Sequence, residues 1–454
     1  MNRHNIGRRD FLKLAAIAAA GMGLAACAPQ VTTAPQPTKV SEATNPPAAV
    51  STTAPTKGLV TIRIHHRIGG ECDNWTGLAT KFNEQNPGIK VVPECFPGAD
   101  YFQKLNTLAA GGTLGDILWV SSIEGYYRMA ASGVIAPLDD LVSASKFDLS
   151  QLYSTCVESA KLKGKLYGIP QLAHPGRVGL YYNKPVFDAA KVDYPKDTWT
   201  YDDLLATAQK LTDSKNGVWG FLDTERSYFT VLVYLRAWGG DVINNDGTKC
   251  PLDSAESKAG LQYISDLYNK YHVAPKPGAS ALGPQQLFPS NKLAMYQSGF
   301  WGNFVRDFVK EGTWGVVPMP IGPTKKRGSM FESDPVCLVS SSKNKSEAFQ
   351  WMTTVVSKEA QLNYFQKTGS PSSRPDVMDS SQVQADMNMK VFGGVMSNAL
   401  PLVLPANFRE TEYFKYIGEG LSAVWLGEST LDQVIGPVTK GAQDILDKPP
   451  LTGS

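Results

Sequence analysis

Residues 59 to 92 read LVTIRIHHRIGGECDNWTGLATKFNEQNPGIKVV. Val60-Thr61-Ile62-Arg63-Ile64 alternates apolar and polar side chains with the period of two that a strand requires. Asp73 is placed to cap a helix on which Trp75, Leu78, Ala79 and Phe82 fall at i, i+3, i+4 and i+7, one apolar face. Asn86-Pro87-Gly88 breaks that helix, and residues 89–92 form the next strand. A strand, a helix and a strand in this order form the unit of a parallel sheet covered on both faces.

The alternation continues outward. Residues 101–110 read as a helix and 116–120 as a buried strand. Further on, 180–183 is a strand, 201–211 a helix opened by the capping residue Thr200, and 261–270 an amphipathic helix. Residues 314–318 and 336–339 read as strands, followed by a long helix over 346–356. No repeat with a period of 20 to 50 residues is present. The fold class is α/β with two open sheets, and about 395 residues exceed what one core usually supports, so two lobes are expected.

Upstream of residue 59 the chain has a different character. Residues 8 to 27, RRDFLKLAAIAAAGMGLAAC, combine a basic start, a short apolar run and small residues before Cys27. That is the composition of a secretory signal, and the run over 14–26 is too short to span a bilayer. The pair Arg8-Arg9 resembles a twin-arginine export signal, although Gly7 stands where Ser or Thr usually precedes the arginines. Leu24-Ala25-Ala26-Cys27 resembles a lipoprotein processing box, with Cys27 as the lipidated first residue of the mature chain. Residues 28–58, rich in Pro, Thr and Ala, read as a disordered tether behind that anchor.

The whole chain carries 44 basic and 42 acidic side chains. Removing the leader, with Arg3, Arg8, Arg9 and Lys13 against Asp10, leaves 40 against 41. A near-neutral mature protein lacks the basic excess of a nucleic-acid binder. Beyond Cys27 the cysteines are Cys72, Cys95, Cys156, Cys250 and Cys337, without a CxxC pair. Zinc and thioredoxin-like chemistry are not expected. An exported chain permits a disulfide; Cys72 and Cys95 are the nearest pair, but spacing does not establish it, and isolated buried thiols are the default.

Several further blocks occur in a fixed order: Phe82-Asn83-Glu84-Gln85-Asn86-Pro87-Gly88; Ala109-Ala110-Gly111-Gly112 leading to Asp116; Gly164-Lys165-Leu166-Tyr167-Gly168-Ile169-Pro170; Lys292-Leu293-Ala294-Met295-Tyr296 with Gly299-Phe300-Trp301; and Gly369-Ser370-Pro371-Ser372-Ser373-Arg374. Together they resemble the extracellular solute-binding proteins of ABC importers, in the large sugar-binding family that includes maltose-binding protein. The resemblance implies a two-lobe periplasmic-binding-protein-like α/β fold with hinge crossings. The crossings would lie near 172–178, near 329–334 and within about 370–380. Lobe one would hold 59–173 and 331–376, and lobe two 174–330 and 377–454.

A sugar receptor needs aromatic platforms for C–H faces and planar polar groups for the hydroxyl belt. Ligands of open α/β sheets bind beyond the carboxyl ends of strands. After the first strand come Arg67 and Glu71, which either grip hydroxyls or are loop surface charges. After the strand over 116–120 come Ser121 and Ser122, with Glu124 beyond them. Trp119 reads as core, and Asp116 as a partner for local backbone amides. His174 and Arg177 suit a cleft floor. Arg226 and Tyr228 match a ligand-contacting loop of the family, with Arg226 where maltose-binding protein has a carboxylate. Trp301 falls at the family's stacking tryptophan and Phe414 at its C-terminal aromatic contact. Glu332 and Asp334 stand where many relatives carry small residues. His65 and His66 have no further ligands nearby, so no metal and no cofactor is expected.

The resulting expectation is a non-enzymatic, monomeric receptor, lipid-anchored at Cys27 on the outer face of the cytoplasmic membrane. It would capture a carbohydrate or polyol and deliver it to ABC permease subunits. A secreted carbohydrate-active enzyme would need a flanking carboxylate pair, for which only Glu332 and Asp334 qualify, and no nucleophile elbow or HExxH motif occurs. A ligand-presenting sensory role is the other alternative.

Overall fold

The computed structural model describes residues 58–121, 125–223, 228–276, 283–396 and 398–451. The leader, Cys27 and the tether to residue 57 lie outside the described residues. Eleven strands are present among the described residues: β1 Val60–Arg67, β2 Ile89–Phe96, β3 Ile117–Trp119, β4 Lys161–Leu162, β5 Lys165–Leu166, β6 Ile169–His174, β7 Gly179–Asn183, β8 Trp219–Asp223, β9 Leu293–Ser298, β10 Trp314–Pro318 and β11 Glu332–Leu338. They form a five-stranded sheet in the order β2-β1-β3-β11-β6, a four-stranded sheet in the order β10-β7-β9-β8, and the small ribbon β4-β5. Each large sheet has its own apolar core. One centres on Ile62, Ile64, Trp75, Trp119 and Trp351, the other on Leu180, Tyr181, Phe221, Leu235 and Tyr296.

The sheets are mixed and not wholly parallel. β1 runs parallel to both β2 and β3, but β11 is antiparallel to β3 and β6. The reason is topological: β11 follows a strand of the other sheet, so the chain enters the first sheet from the opposite end. In the second sheet only β8 and β9 are parallel, and β7 is antiparallel to both its neighbours.

The first helix, Gly70–Gln85, is capped at Gly69, four residues earlier than the Asp73 cap the sequence suggests. Gly69 adopts φ +125°, a conformation that L side chains rarely take, and turns the chain directly from β1 into the helix. Asp73 therefore sits in the first turn, where a carboxylate favours the helix dipole, and does not cap it. Trp75, Ala79 and Phe82 are buried on the predicted face. The helices Tyr101–Ala110 and Tyr201–Leu211 match their predicted bounds, the second through a reciprocal Thr200–Asp203 capping box. Asp116 satisfies the Arg63 amide at 2.9 Å and accepts from the Ser342 hydroxyl at 2.6 Å, a structural task.

The chain leaves the first sheet after His174 and enters the second at Gly179. It returns ahead of β11 through residues 319–331. A third passage follows Gly369, whose φ of +67° ends the helix Lys358–Thr368. Hydrogen bonds lace these passages together: Met330 N–H to Pro175 O at 3.1 Å, Ser373 N–H to Gln171 O at 3.2 Å, and the Ser373 hydroxyl to Pro170 O at 2.7 Å. Glu332, Ser333 and Asp334 belong to strand β11 itself, which begins earlier than the predicted 336–339.

Cys72 and Cys95 are joined in a disulfide, while Cys156, Cys250 and Cys337 are buried free thiols. The bridge ties the helix Gly70–Gln85 to the end of β2. The two cysteines are 23 residues apart, and closing a loop of that size restricts the unfolded chain. Replacing both with Ala is expected to lower unfolding free energy by about 2–4 kcal/mol, read from urea denaturation. An unchanged midpoint would remove the bridge from the stability of this lobe.

Candidate ligand cleft

A cavity of about 590 Å³ opens where the carboxyl ends of β1, β3 and β6 meet the turn after β9. Arg67 ends β1. Its guanidinium donates to Glu71 Oε2 at 2.7 Å and lies 3.9 Å from the centroid of the Trp119 ring. Burial works against the charge of Arg67, but Glu71 and Asp334 outweigh it and hold the group above its ordinary pKa. Glu71 stands in the first turn of the helix that Gly69 starts, so the same turn positions both members of this pair.

The floor is built by two paired strands. His174 on β6 lies opposite Glu332 on β11, and Leu172 opposite Asp334. Residues two apart on a strand share a face, so Glu332 and Asp334 both point to the cleft. His174 Nδ1 is 3.1 Å from Glu332 Oε1. Burial, reinforced by Arg177 and Arg67, pushes the pKa of His174 down to about 3. The imidazole is therefore held neutral beside the carboxylate, and the contact is not an ion pair.

The far wall is aromatic. Trp301 follows Gly299-Phe300 at the end of β9 and stands edge-on to the His174 ring, 5.8 Å between centroids at 84°. The Arg177 guanidinium lies 5.2 Å from the Trp301 centroid and 5.3 Å from that of Phe229. A Cβ on Gly299 would come within 2.3 Å of the Trp301 ring, so only glycine leaves room for the indole here. Lys367, Thr368 and Ser370 close the rim from the end of a helix and the third crossing.

The structure thus brings together Arg67, Glu71, Ser121, His174, Arg177, Trp301, Glu332 and Asp334 around one cavity. Phe414 is buried and packs against Tyr413 and Phe229, away from the lining. Ser122, Glu124 and Arg226 lie outside the described residues, and Tyr228 is described only as the first residue of the helix Tyr228–Trp238. Sequence reading missed Leu172, Phe300, Lys367, Thr368 and Ser370 on this lining, and Trp119, read as core, is core. Trp119 serves both roles, with its ring in the core and its face under Arg67. Its position at the carboxyl end of a strand was the available signal.

His174, Glu332 and Asp334 each offer one ligand atom within 4.8 Å of the others, which makes them the metal-compatible trio among the described residues. Arg67 and Arg177 stand beside them, and their positive charge opposes a cation there. His65 and His66 serve the fold. His65 Nε2 accepts from Gly115 N–H at 2.7 Å, and His66 Nδ1 accepts from Arg67 N–H at 2.7 Å.

Two α/β lobes joined by laced crossings around a polar and aromatic cleft define a binding protein that grips one solute between its halves. The chain belongs to the bacterial extracellular solute-binding protein family, whose pattern it matches over residues 77–391. It is 26% identical over 381 residues to a binding protein of Brucella abortus strain 2308, covering 81% of this chain and 88% of that one. It is 32% identical over 166 residues to the sn-glycerol-3-phosphate-binding periplasmic protein UgpB of Escherichia coli K12, covering 35% and 37% of the two chains. The ABC substrate-binding protein Lmo0181 from Listeria monocytogenes, solved in complex with cycloalternan, superposes with a TM-score of 0.73 at 25% identity, covering 86% of this chain and 98% of that one. No helix among the described residues is long and apolar enough to cross a membrane.

Two outcomes follow from this geometry. Gly299→Ala should displace the Trp301 ring, alter its fluorescence and reduce ligand affinity about tenfold or more, with the fold retained. An unchanged emission spectrum would mean the ring is not held as described. The second concerns acid. Burial holds His65 and His66 at about 4 and His174 at about 3, whereas an unfolded chain's histidines titrate near about 6.5. As pH falls below 6.5 the unfolded chain takes up protons that the folded one does not, so stability drops, on the order of 1–2 kcal/mol per histidine by pH 5. Urea unfolding at pH 7 and 5 measures this drop, and His174→Asn should shrink it by roughly a third.

Proposed function

We propose that this protein is the solute receptor of an ABC importer and that its ligand is an uncharged carbohydrate or polyol, clamped between the lobes and handed to membrane permease subunits. The observation that carries this reading is the charge balance of an aromatic-walled cleft. Arg67, Arg177 and Lys367 face Glu71, Glu332 and Asp334 among the described lining residues, and His174 is neutral. A phosphorylated polyol, the ligand class in the name of the E. coli relative, would bring an uncompensated negative charge to a floor holding two carboxylates. A neutral sugar, the class bound by the Listeria neighbour, adds none and can use every donor and acceptor on the rim.

Ligand favours the closed arrangement because only there is it touched from both lobes. The lobe limits implied by the resemblance, 59–173 with 331–376 and 174–330 with 377–454, put the cleft residues on both sides of the crossings. The leader adds the address: export by a twin-arginine route, lipidation at Cys27, and a tether that holds a monomeric receptor beside its permease. A hydrolytic role is disfavoured by the placement of Glu332 and Asp334. They sit on one face of one strand, their oxygens within 4.8 Å of each other and of His174, whereas glycosidase carboxylates flank the scissile bond about 5–9.5 Å apart.

A thermal-shift series of neutral mono- and oligosaccharides, polyols and glycerol 3-phosphate tests the proposal. At least one uncharged ligand should raise Tm by several degrees at saturating concentration, and Trp301→Ala should weaken it by about tenfold to a hundredfold. A shift with glycerol 3-phosphate and none with neutral ligands would overturn the charge-balance argument. Replacing Cys27 with Ser should release the protein from the membrane fraction.

A further inference from the structure

A second and larger cavity, about 890 Å³, lies on the second lobe and is separate from the cleft. Edge strand β10 supplies one wall through Val316, Val317 and Pro318. The helix Met387–Met396 supplies the other, presenting Met387, Lys390, Val391, Gly394 and Val395, the i, i+3, i+4, i+7, i+8 stripe of a helix face. Met387 and Leu400 on this cavity are 42% and 48% exposed, among the few large apolar side chains left in water. The volume falls within the about 300–1,000 Å³ typical of small-molecule sites.

The polar part of the lining is cationic. Arg236 is fully engaged by the Asp241 carboxylate and by the carbonyls of Ser329, Leu400 and Pro401. Lys326, Arg327 and Lys390 differ: among the described residues none of them is in an ion pair. Arg327 donates to two carbonyl oxygens, those of Met319 and Asp197. Among the described lining residues Asp197 is the one carboxylate. Burial lowers the Arg327 pKa, with Asp197 and Tyr201 offsetting it only in part. Arg327 is half-buried while Lys326 and Lys390 are exposed, so the three cations stand at the mouth of an apolar trough, where an acidic group would meet them.

We propose that this trough is a second ligand site that takes a single-chain amphiphilic anion from solution. Its apolar chain lies between β10 and the helix Met387–Met396, and its acidic head meets Lys326, Arg327 and Lys390. The trough adjoins the second crossing: Ser329 lines it, and Leu400 N–H donates to the Ser329 hydroxyl at 3.1 Å. An occupant would therefore touch the segment on which lobe movement turns.

Calorimetric titration of the full chain with decanoate below its micellar concentration tests this, with decanol as the uncharged control. One saturable decanoate site is expected, at least about tenfold tighter than decanol. The double variant K326Q/K390Q should weaken decanoate about tenfold while leaving Tm unchanged, and Arg327→Gln should act in the same direction. Val391→Asp should block the site, and Trp301→Ala should not affect it. The proposal is overturned if decanoate fails to saturate, if decanol binds equally well, or if K326Q/K390Q binds as the parent does. Binding to phosphatidylglycerol vesicles without binding free decanoate would instead assign the patch to a bilayer surface. Binding to an acidic peptide alone would assign it to a protein partner, and either result overturns it.

Discussion

The floor of the candidate cleft depends on how closely two passing chain segments approach each other. Gly176 takes a φ of +81°, and a Cβ there would come within 2.3 Å of the Met330 side chain. With no side chain in the way, Met330 N–H reaches Pro175 O at 3.1 Å. This contact joins the outgoing crossing to the returning one, so that β6 and β11 emerge side by side with His174 opposite Glu332. A bulkier residue at 176 would part the two segments and take apart the cleft floor. The two sheets centre on separate apolar cores, but the floor exists only where the crossings touch.

That floor explains the electrical character of the site. Bringing two carboxylates, two arginines and a histidine out of water is tolerable only if their charges are matched locally. The matching is done by neighbours in space: Glu71 for Arg67, and the faces of Trp119, Trp301 and Phe229 for the two guanidinium groups. The histidine contributes by staying neutral. The groups are thus held in fixed orientations before a ligand arrives, which lowers the ordering cost of binding.

Much of this could be read in the chain. The alternation around residues 59–120, the capping box at Thr200 and the periodic faces of the helices are local properties, and local physics sets them. Eight of the site residues named from sequence converge on one cavity because strand ends and their following loops were the right places to look. The antiparallel return of β11 was not legible, since it follows from where the chain re-enters a sheet and not from any pattern within the strand. Trp119 was read as core and is core; its second contact, under the Arg67 guanidinium, comes from a neighbouring strand and is not visible in its own segment. Lys367, Thr368 and Ser370 come from a helix end more than 290 residues from Arg67 in sequence, and only the tertiary structure brings them to the rim. Phe414 shows the opposite error, an aromatic residue whose position in the family suggested a contact but whose helix turns it into the core.

The pair Glu332 and Asp334 shows why the fold was easier to infer than the ligand. As hinge residues they could have been simple turn-formers, but as the first and third residues of a strand they are committed to one face. Their carboxylates then lie beside His174 whatever the lobes do, because β6 and β11 belong to the same sheet. Trp301 follows a strand of the other sheet, so the lobe closure proposed above would leave the floor intact and move the wall that carries it. Recognition divides accordingly. In the proposed receptor the floor would set which charge a ligand is allowed, and the aromatic wall would determine how tightly a permitted ligand is held.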